Sequence, residues 1–323
     1  MRLDNKNKLE DKSLRDTEKN TTYKRIIAMV DEGLGVIELV EEHPCPNGSQ
    51  WLIYQYERTS PIIISAWREG NIHHFILKID KSKLNLIPSL AAAGIEEAYI
   101  KDGNVHILYA GLAGAGVGIE LRKNAENVID AIILEKGGGS KLGRGMIITP
   151  KMEKLIVGID DTDTKEEGAT WVLADKIGRY IEKKGLGYYI DHTIVQLYPE
   201  NPKKTQNCVS IALTFAIFPK YKYKVKEVIK NYLMEKSLSD KTAMAIYYGI
   251  TPSKSMKIFT NKAKEGMVSV EGALAVAIRN NIDVIKIFER EEGIVGAVAA
   301  LGLAEHHDIA SKLPEDIIKS KKL

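Results

Sequence analysis

The sequence predicts an α+β protein: an N-terminal α+β domain, then a ferredoxin-like β-α-β-β-α-β domain with a helical C-terminal extension. Three observations carry this prediction. Apolar, β-branched runs of strand length alternate with segments of helical spacing. Between Leu155 and Tyr248 they follow the order strand, helix, strand, strand, helix, strand. The glycine-rich passage Lys136–Pro150 separates that series from what precedes it.

A chain of 323 residues suits about two domains of roughly 100–200 residues each. Residues 1–22 read as a mobile charged tail, because charges of both signs leave little to bury against the entropy of ordering. Residues 23–150 form the N-terminal domain. Ile62–Trp67 and His73–Ile79 flank Arg68-Glu69-Gly70-Asn71 as a hairpin, and Glu97–Ile100 and Val105–Tyr109 flank the tight-turn dipeptide Asp102-Gly103. Short helices are expected over Pro88–Ala93, with the proline in the first turn, and over Ala113–Val128, before a strand at Ala131–Leu134. The passage Lys136–Pro150 reads as a linker, in preference to a basic loop that closes over phosphates.

Residues 151–323 are the second domain. Leu155–Ile159, Tyr188–Leu197, Cys208–Phe218 and Ala243–Tyr248 read as strands, with helices at Thr170–Lys184 and Tyr223–Glu235. From Pro252 the chain looks mainly helical, with small-residue segments at Glu271–Ala277 and Gly293–Gly302.

Composition removes several function classes. Cys45 and Cys208 stand far apart and form no CxxC pair, which excludes a four-cysteine zinc site and points to a reducing compartment. No apolar run reaches the roughly 18 residues of a membrane helix and no signal peptide opens the chain, so a soluble, cytoplasmic protein is expected. A net charge of +3 argues against RNA as a partner, although a local basic patch fits within that balance. A homodimer is left open.

The strongest chemical signal is Leu155-Ile-Val-Gly-Ile-Asp160-Asp161-Thr162-Asp163-Thr164, where a buried strand ends in three carboxylates within four residues. Lys165 alone cannot neutralise them. Such an oxygen-rich set suits a hard cation, Mg²⁺, which accepts nucleotide phosphates as further ligands. Strand ends are also where α/β layers place ligands. Thr164 and Glu167 have capping-box spacing, but a cap does not need three carboxylates.

A right-handed first crossover makes the second strand parallel to the first, which returns the connection Tyr198–Asn207 to the edge that holds the Asp loop. Lys203, Lys204, Thr205 and Asn207 offer donors for phosphate oxygens. Thr170, at the start of the first helix, holds a phosphate, accepts one covalently, or only satisfies backbone groups. Gly293 and Gly296 could leave amides aimed at an anion, while Ala297–Ala300 serve close packing. Gly111–Gly118 does not fit G-x-G-x-x-G, and neighbours in His73-His74 and His306-His307 point apart, so neither pair makes a metal site alone.

Gly158-Ile-Asp-Asp-Thr-Asp163, Thr170, Leu197-Tyr-Pro-Glu-Asn-Pro-Lys-Lys-Thr205 and Gly293–Gly302 resemble, in order, the kinase-like domain of the archaeal agmatidine synthetase that modifies an isoleucine tRNA. The resemblance implies that the Asp cluster holds metal and ATP and that Thr170 takes part in phosphate transfer. The synthetase's OB domain and cysteine zinc ribbon have no counterpart here. Its Gly-x-Cys-Thr-Thr is replaced by Gly168-Ala-Thr170-Trp171, and its Lys-Thr-Arg-Gly-Asn-Gly by Lys204-Thr-Gln-Asn-Cys208. The whole chain resembles methanogenesis marker protein 11, which implies a methane-producing archaeal host.

The expected function is Mg²⁺-ATP-dependent phosphoryl transfer or ATP hydrolysis. Asp160, Asp161 and Asp163 would hold the metal, and Asp161 and Thr170 the catalytic roles. Lys204, Thr205, Asn207, Gly293 and Gly296 would bind the cofactor. The acceptor is an unspecified small molecule or protein, selected by the N-terminal domain. The alternatives are a non-catalytic nucleotide-binding assembly factor for the methane-forming enzyme or its cofactors, and an RNA-modifying enzyme.

Overall fold

Hairpins laid edge to edge build the first half of the chain in a computed structural model that describes residues 22–112, 118–315 and 319. The chain is a mixed α+β protein that divides between Met152 and Glu153 into two units. The expected tail therefore lies outside the described residues, Thr22 excepted.

In the first unit β1 (Ile26–Asp31) pairs with β2 (Val36–Glu42), and β2 with β4 (Ile72–Lys78), which returns from β3 (Ile63–Glu69). After the two-residue β5 (Asp80–Lys81), strands β6 (Ala93–Lys101) and β7 (Asn104–Leu112) form a hairpin. Its turn places Asp102 and Gly103 both at positive φ, as a tight turn between right-twisted strands requires. Helix α1 (Pro46–Thr59) starts on proline and buries Leu52, Ile53 and Tyr56 in a core with Phe75, Leu77 and Tyr109.

Three local expectations fail here. No helix forms over Pro88–Ala93: Ser89 takes a positive φ, Ile87 bridges Ala91, and the last of these residues already opens β6. Of the helix expected over Ala113–Val128, residues 113–117 lie outside the described set, and the remainder gives a single turn, α2 (Ile119–Arg122). Arg122 turns inward on the buried Glu41, and Asn127 at positive φ ends any continuation. Lys136–Pro150 is no linker. Glycines at 137–139 supply positive φ for a turn between β8 (Asp130–Gly138) and β9 (Lys141–Asp160). The first part of β9 then pairs with both β7 and β8.

Strand β9 runs for 20 residues; those up to Met152 pair in the first unit and those from Glu153 pair in the second. The second unit continues with α3 (Thr170–Lys183), β10 (Gly187–Gln196), β11 (Val209–Ile217), α4 (Lys222–Lys236) and β12 (Ala243–Tyr248). Its strand order is β10-β11-β9-β12-β13, with every neighbouring pair antiparallel, so β10 runs parallel to β9. The remainder is helical, α5 (Lys254–Glu265), α6 (Val270–Arg279), α7 (Gly293–Leu301) and α8 (His307–Ala310), apart from the edge strand β13 (Asp283–Lys286).

Alternation along β9 sorts its side chains between two cores. Leu155, Val157 and Ile159 pack with α3 and α4, whereas Ile156 faces the layer of α5, α6 and α7. Gly158 shares the Ile156 face. A Cβ there would stand 1.9 Å from the Ala297 carbonyl oxygen, so its missing side chain lets α7 lie directly on the sheet. Among the described residues no helix is long and apolar enough to cross a membrane.

Candidate functional site

The same alternation places Asp160, the last residue of β9, under α7. A Cβ on Gly296 would fall 1.6 Å from Asp160 Oδ2, so this glycine is the space that the carboxylate occupies. The next residue leaves the strand in a left-handed conformation, Asp161 at φ 53°, which Asp tolerates better than most side chains. The turn is held from several sides. The Thr242 hydroxyl donates to the Asp161 carbonyl at 2.8 Å, and the Leu238 amide donates to the Thr162 carbonyl at 2.9 Å. The Thr162 amide and hydroxyl both donate to Thr170 Oγ1, at 3.3 and 3.1 Å.

The connection between β10 and β11 closes onto this turn. Thr205 Oγ1 donates to Asp163 Oδ1 at 2.9 Å, and Gln206 Nε2 donates to the carbonyls of Thr164 and Gly168. Lys204 turns back on its own loop and donates to the Pro199 carbonyl, while Lys203 and Asn207 are exposed. Thr164 accepts from the Glu166 and Glu167 amides and so caps its own turn. Helix α3 begins at Thr170 behind Ala169, with no side-chain cap.

These parts bound a cavity of about 360 Å³ in the second unit. Asp160, Asp161, Asp163, Thr170, Lys203, Lys204, Thr205, Asn207 and Gly296 all line it. Gly293 does not. Its amide donates to the Lys241 carbonyl, and its bare Cα lets α7 start against the backbone of Lys241 and Ala243. The segment Gly266–Glu271 and the half-exposed Trp171 complete the wall.

The carboxylates stand in mutual conflict. Burial, then the charge of Asp161, pushes the Asp160 carboxyl well above the ordinary range. Burial also raises Asp161, to about 6, with Asp163 and Glu292 adding to it and Lys241 and Arg290 opposing. A hard divalent cation fits this donor set: it would relieve the repulsion that protons otherwise relieve.

Thr242, Lys241, Leu238 and Gln206 gave no signal in the sequence. The first three reach the site only because β12 pairs with β9, and Gln206 looked like one more polar loop residue. The histidine pairs split as neighbours do: His74 meets Glu38 at 2.9 Å and His73 approaches Glu41, while His307 meets Asp191 at 2.6 Å and His306 meets Lys257.

A family model described as the TiaS TCKD domain matches residues 156–222, a span that holds the Asp turn, α3, and the loop carrying Lys204 and Thr205. The chain is 27% identical over 153 residues to the tRNA 2-agmatinylcytidine synthetase TiaS of Pyrococcus horikoshii, covering 46% of this chain and 35% of that one. It is 29% identical over 158 residues to the synthetase of the same name from Thermococcus sibiricus. It thus spans about a third of the length of these synthetases. Among solved structures, a complex of TiaS with its tRNA and ATP aligns with a TM-score of 0.42 at 24% identity, over 48% of this chain and 37% of that one. By the family model and the sequence relatives, the chain carries a TiaS-like domain. The expectation that RNA is no partner is overturned, because the proteins that share this domain act on tRNA and the near-neutral charge of the whole chain does not report on one face of it. Over 298 residues, 92% of this chain and 99% of the other, the identity is 69%, and the chain accordingly belongs to the family of the uncharacterized protein MJ0921 of Methanocaldococcus jannaschii.

Proposed function

We propose that this chain is an ATP-using enzyme that modifies RNA, built on a ferredoxin-like core. The observation that carries the reading is the convergence of Asp160, Asp161, Asp163, Thr170 and the Lys204-Thr205 loop on one cavity inside the span of the TiaS-like domain. Asp160, Asp161 and Asp163 would hold Mg²⁺, which when bound neutralises charge on the ATP phosphates. Lys204, Thr205 and Asn207 would orient those phosphates, and Lys204 must swing away from Pro199 to do so. Helix α3 begins without a side-chain cap and its first residues line the cavity, a position that would favour an anion. Asp161 and Thr170, which both line the cavity, would take the catalytic roles. Gly296 serves by leaving room for Asp160, and Gly293 by seating α7.

The domain of residues 23–150 would select the RNA. Membership of the methanogenesis marker protein 11 family, with a methane-producing host, belongs to this proposal, and the relative in Methanocaldococcus jannaschii supports an archaeal host. The test is incubation of the full chain with γ-labelled ATP, Mg²⁺ and total tRNA. The expected result is ATP consumption that depends on tRNA, with label or a new nucleotide on the RNA, and its loss in Asp161→Asn. Turnover that is indifferent to both tRNA and Asp161→Asn would sink the proposal.

A further inference from the structure

The near-balance of charge across the whole chain hides a basic face on the second unit. Pro219–Lys236 carries six lysines against two glutamates, and within it Lys220–Lys226 alternates lysine with Tyr221, Tyr223 and Val225. Val225, Ile229 and Leu233 bury the inner side of α4, which turns Tyr223 and Lys224 to solvent, and Lys220, just before the helix, is exposed as well. Tyr223 is 75% exposed, far more than packing asks of a tyrosine. Helix α3 ends in Lys183 and Lys184, both exposed.

The fold brings these two segments together. Gly187 pairs with Ile217 in the β10–β11 register, so the end of α3 and the start of α4 lie at one end of the sheet. Tyr180 of α3 packs on Tyr232 of α4, with ring centroids 5.2 Å apart. Lys183, Lys224 and Lys230 have no carboxylate partner among the described residues. Lys184 lies over the Tyr180 ring and Lys220 over Tyr221. Exposed cations interleaved with aromatic rings suit a phosphodiester backbone whose bases or riboses lie against the rings.

Position sets the length of the ligand. Lys222 meets Glu153, at the end of the second-unit portion of β9 opposite Asp160. Seven residues at about 3.3 Å each put that end about 23 Å from the acidic turn. A mononucleotide cannot span this distance, and a folded RNA can.

Resting on the RNA-modifying reading, we infer that the face formed by Lys183, Lys184, Lys220, Tyr223 and Lys224 binds the RNA backbone, about 23 Å from the site where ATP reacts. The full chain carrying Lys183→Glu, Lys184→Glu and Lys224→Glu tests this by fluorescence anisotropy with a transcribed tRNA over a range of salt. The control carries Lys254→Glu, Lys262→Glu and Lys312→Glu, exposed lysines outside this face.

The face variant is expected to weaken RNA binding about tenfold or more and to flatten the slope of log K on log salt by about 2. The control should shift neither, and Mg²⁺-ATP binding should be unchanged in both. RNA binding with unaltered affinity and salt slope in the face variant overturns the inference and leaves the RNA-modifying reading standing. A wild-type chain that ignores the tRNA overturns both, and binding instead to vesicles of phosphatidylcholine and phosphatidylserine would reassign the face to an acidic membrane surface.

Discussion

The Thr205 hydroxyl donates to Asp163 Oδ1 across 2.9 Å, tying the loop that follows β10 to the acidic turn that follows β9. One oxygen of Asp163 is therefore already oriented, and the two loops are set as a unit. Thr205→Val removes that donor while keeping its shape. A hydrogen bond to a charged group is worth about 1.5–3 kcal/mol and this one is made without ligand, so the melting temperature should fall by several degrees and, with Asp163 no longer oriented, Mg²⁺-ATP affinity by roughly 10-fold or more. Titration calorimetry on wild type and variant measures it.

Gly296 tests the proposed metal site without touching a proposed ligand. Any side chain there collides with the Asp160 carboxylate, 1.6 Å from an added Cβ. Gly296→Ala should displace Asp160 and reduce ATP turnover roughly 100-fold, the scale of an ångström misplacement at a reacting centre. A variant that folds and keeps full turnover would remove Asp160 from the site.

Gly158 predicts stability instead. Its neighbour is the Ala297 backbone, which cannot rotate aside, so Gly158→Ala must push α7 off the sheet. Overpacking of this kind costs about 1–3 kcal/mol. Urea unfolding should register that loss, and any fall in activity should track it.

The first unit carries a pH-dependent element remote from the acidic turn. Glu41 is buried and accepts from Arg122 Nε at 2.7 Å, Arg122 Nη2 at 3.0 Å and Tyr109 at 2.8 Å. Burial alone would raise its carboxyl; the Arg122 charge, the neighbouring His73 and the Arg122 hydrogen bonds outweigh burial and hold it well below the usual carboxylate range. A depressed folded pKa stabilises above the ordinary value of 4.5 and loses that stabilisation as pH falls below it. Glu41→Gln strands the Arg122 cation and should cost about 3–5 kcal/mol at neutral pH. The gap from wild type should narrow on acidification below pH 4.5. A gap constant with pH would show that Glu41 is not ionised in the folded protein.

The sequence exposed the site unevenly. Three carboxylates after an apolar strand are local, so the acidic turn was legible, and strand order alone placed the Lys204-Thr205 loop beside it. Lys204 lines the cavity, yet its bond to Pro199 depends on a loop conformation that no spacing encodes. Thr242 and Leu238 enter through pairing between distant strands, which residue type does not announce. The glycines of Lys136–Pro150 misled for a physical reason: a positive φ serves a hairpin turn as readily as a linker, and only the partners β7 and β8 decide between them. At Pro88–Ala93 a proline that suits a helix start gave way to a turn at Ser89 that feeds β6.

Strand β9 has a consequence for how the chain is made. Its first part pairs with β1, β7 and β8, all earlier in the sequence, while the part from Glu153 waits for β11 and β12, which come later. On a ribosome the first unit can close as soon as Met152 has emerged. The next residues to appear, Leu155–Ile159, are then an apolar edge with no partner until dozens more have been synthesised. Slow translation across residues 160–250, or a nascent chain stalled before β12, would prolong the time in which this apolar edge can pair with another molecule.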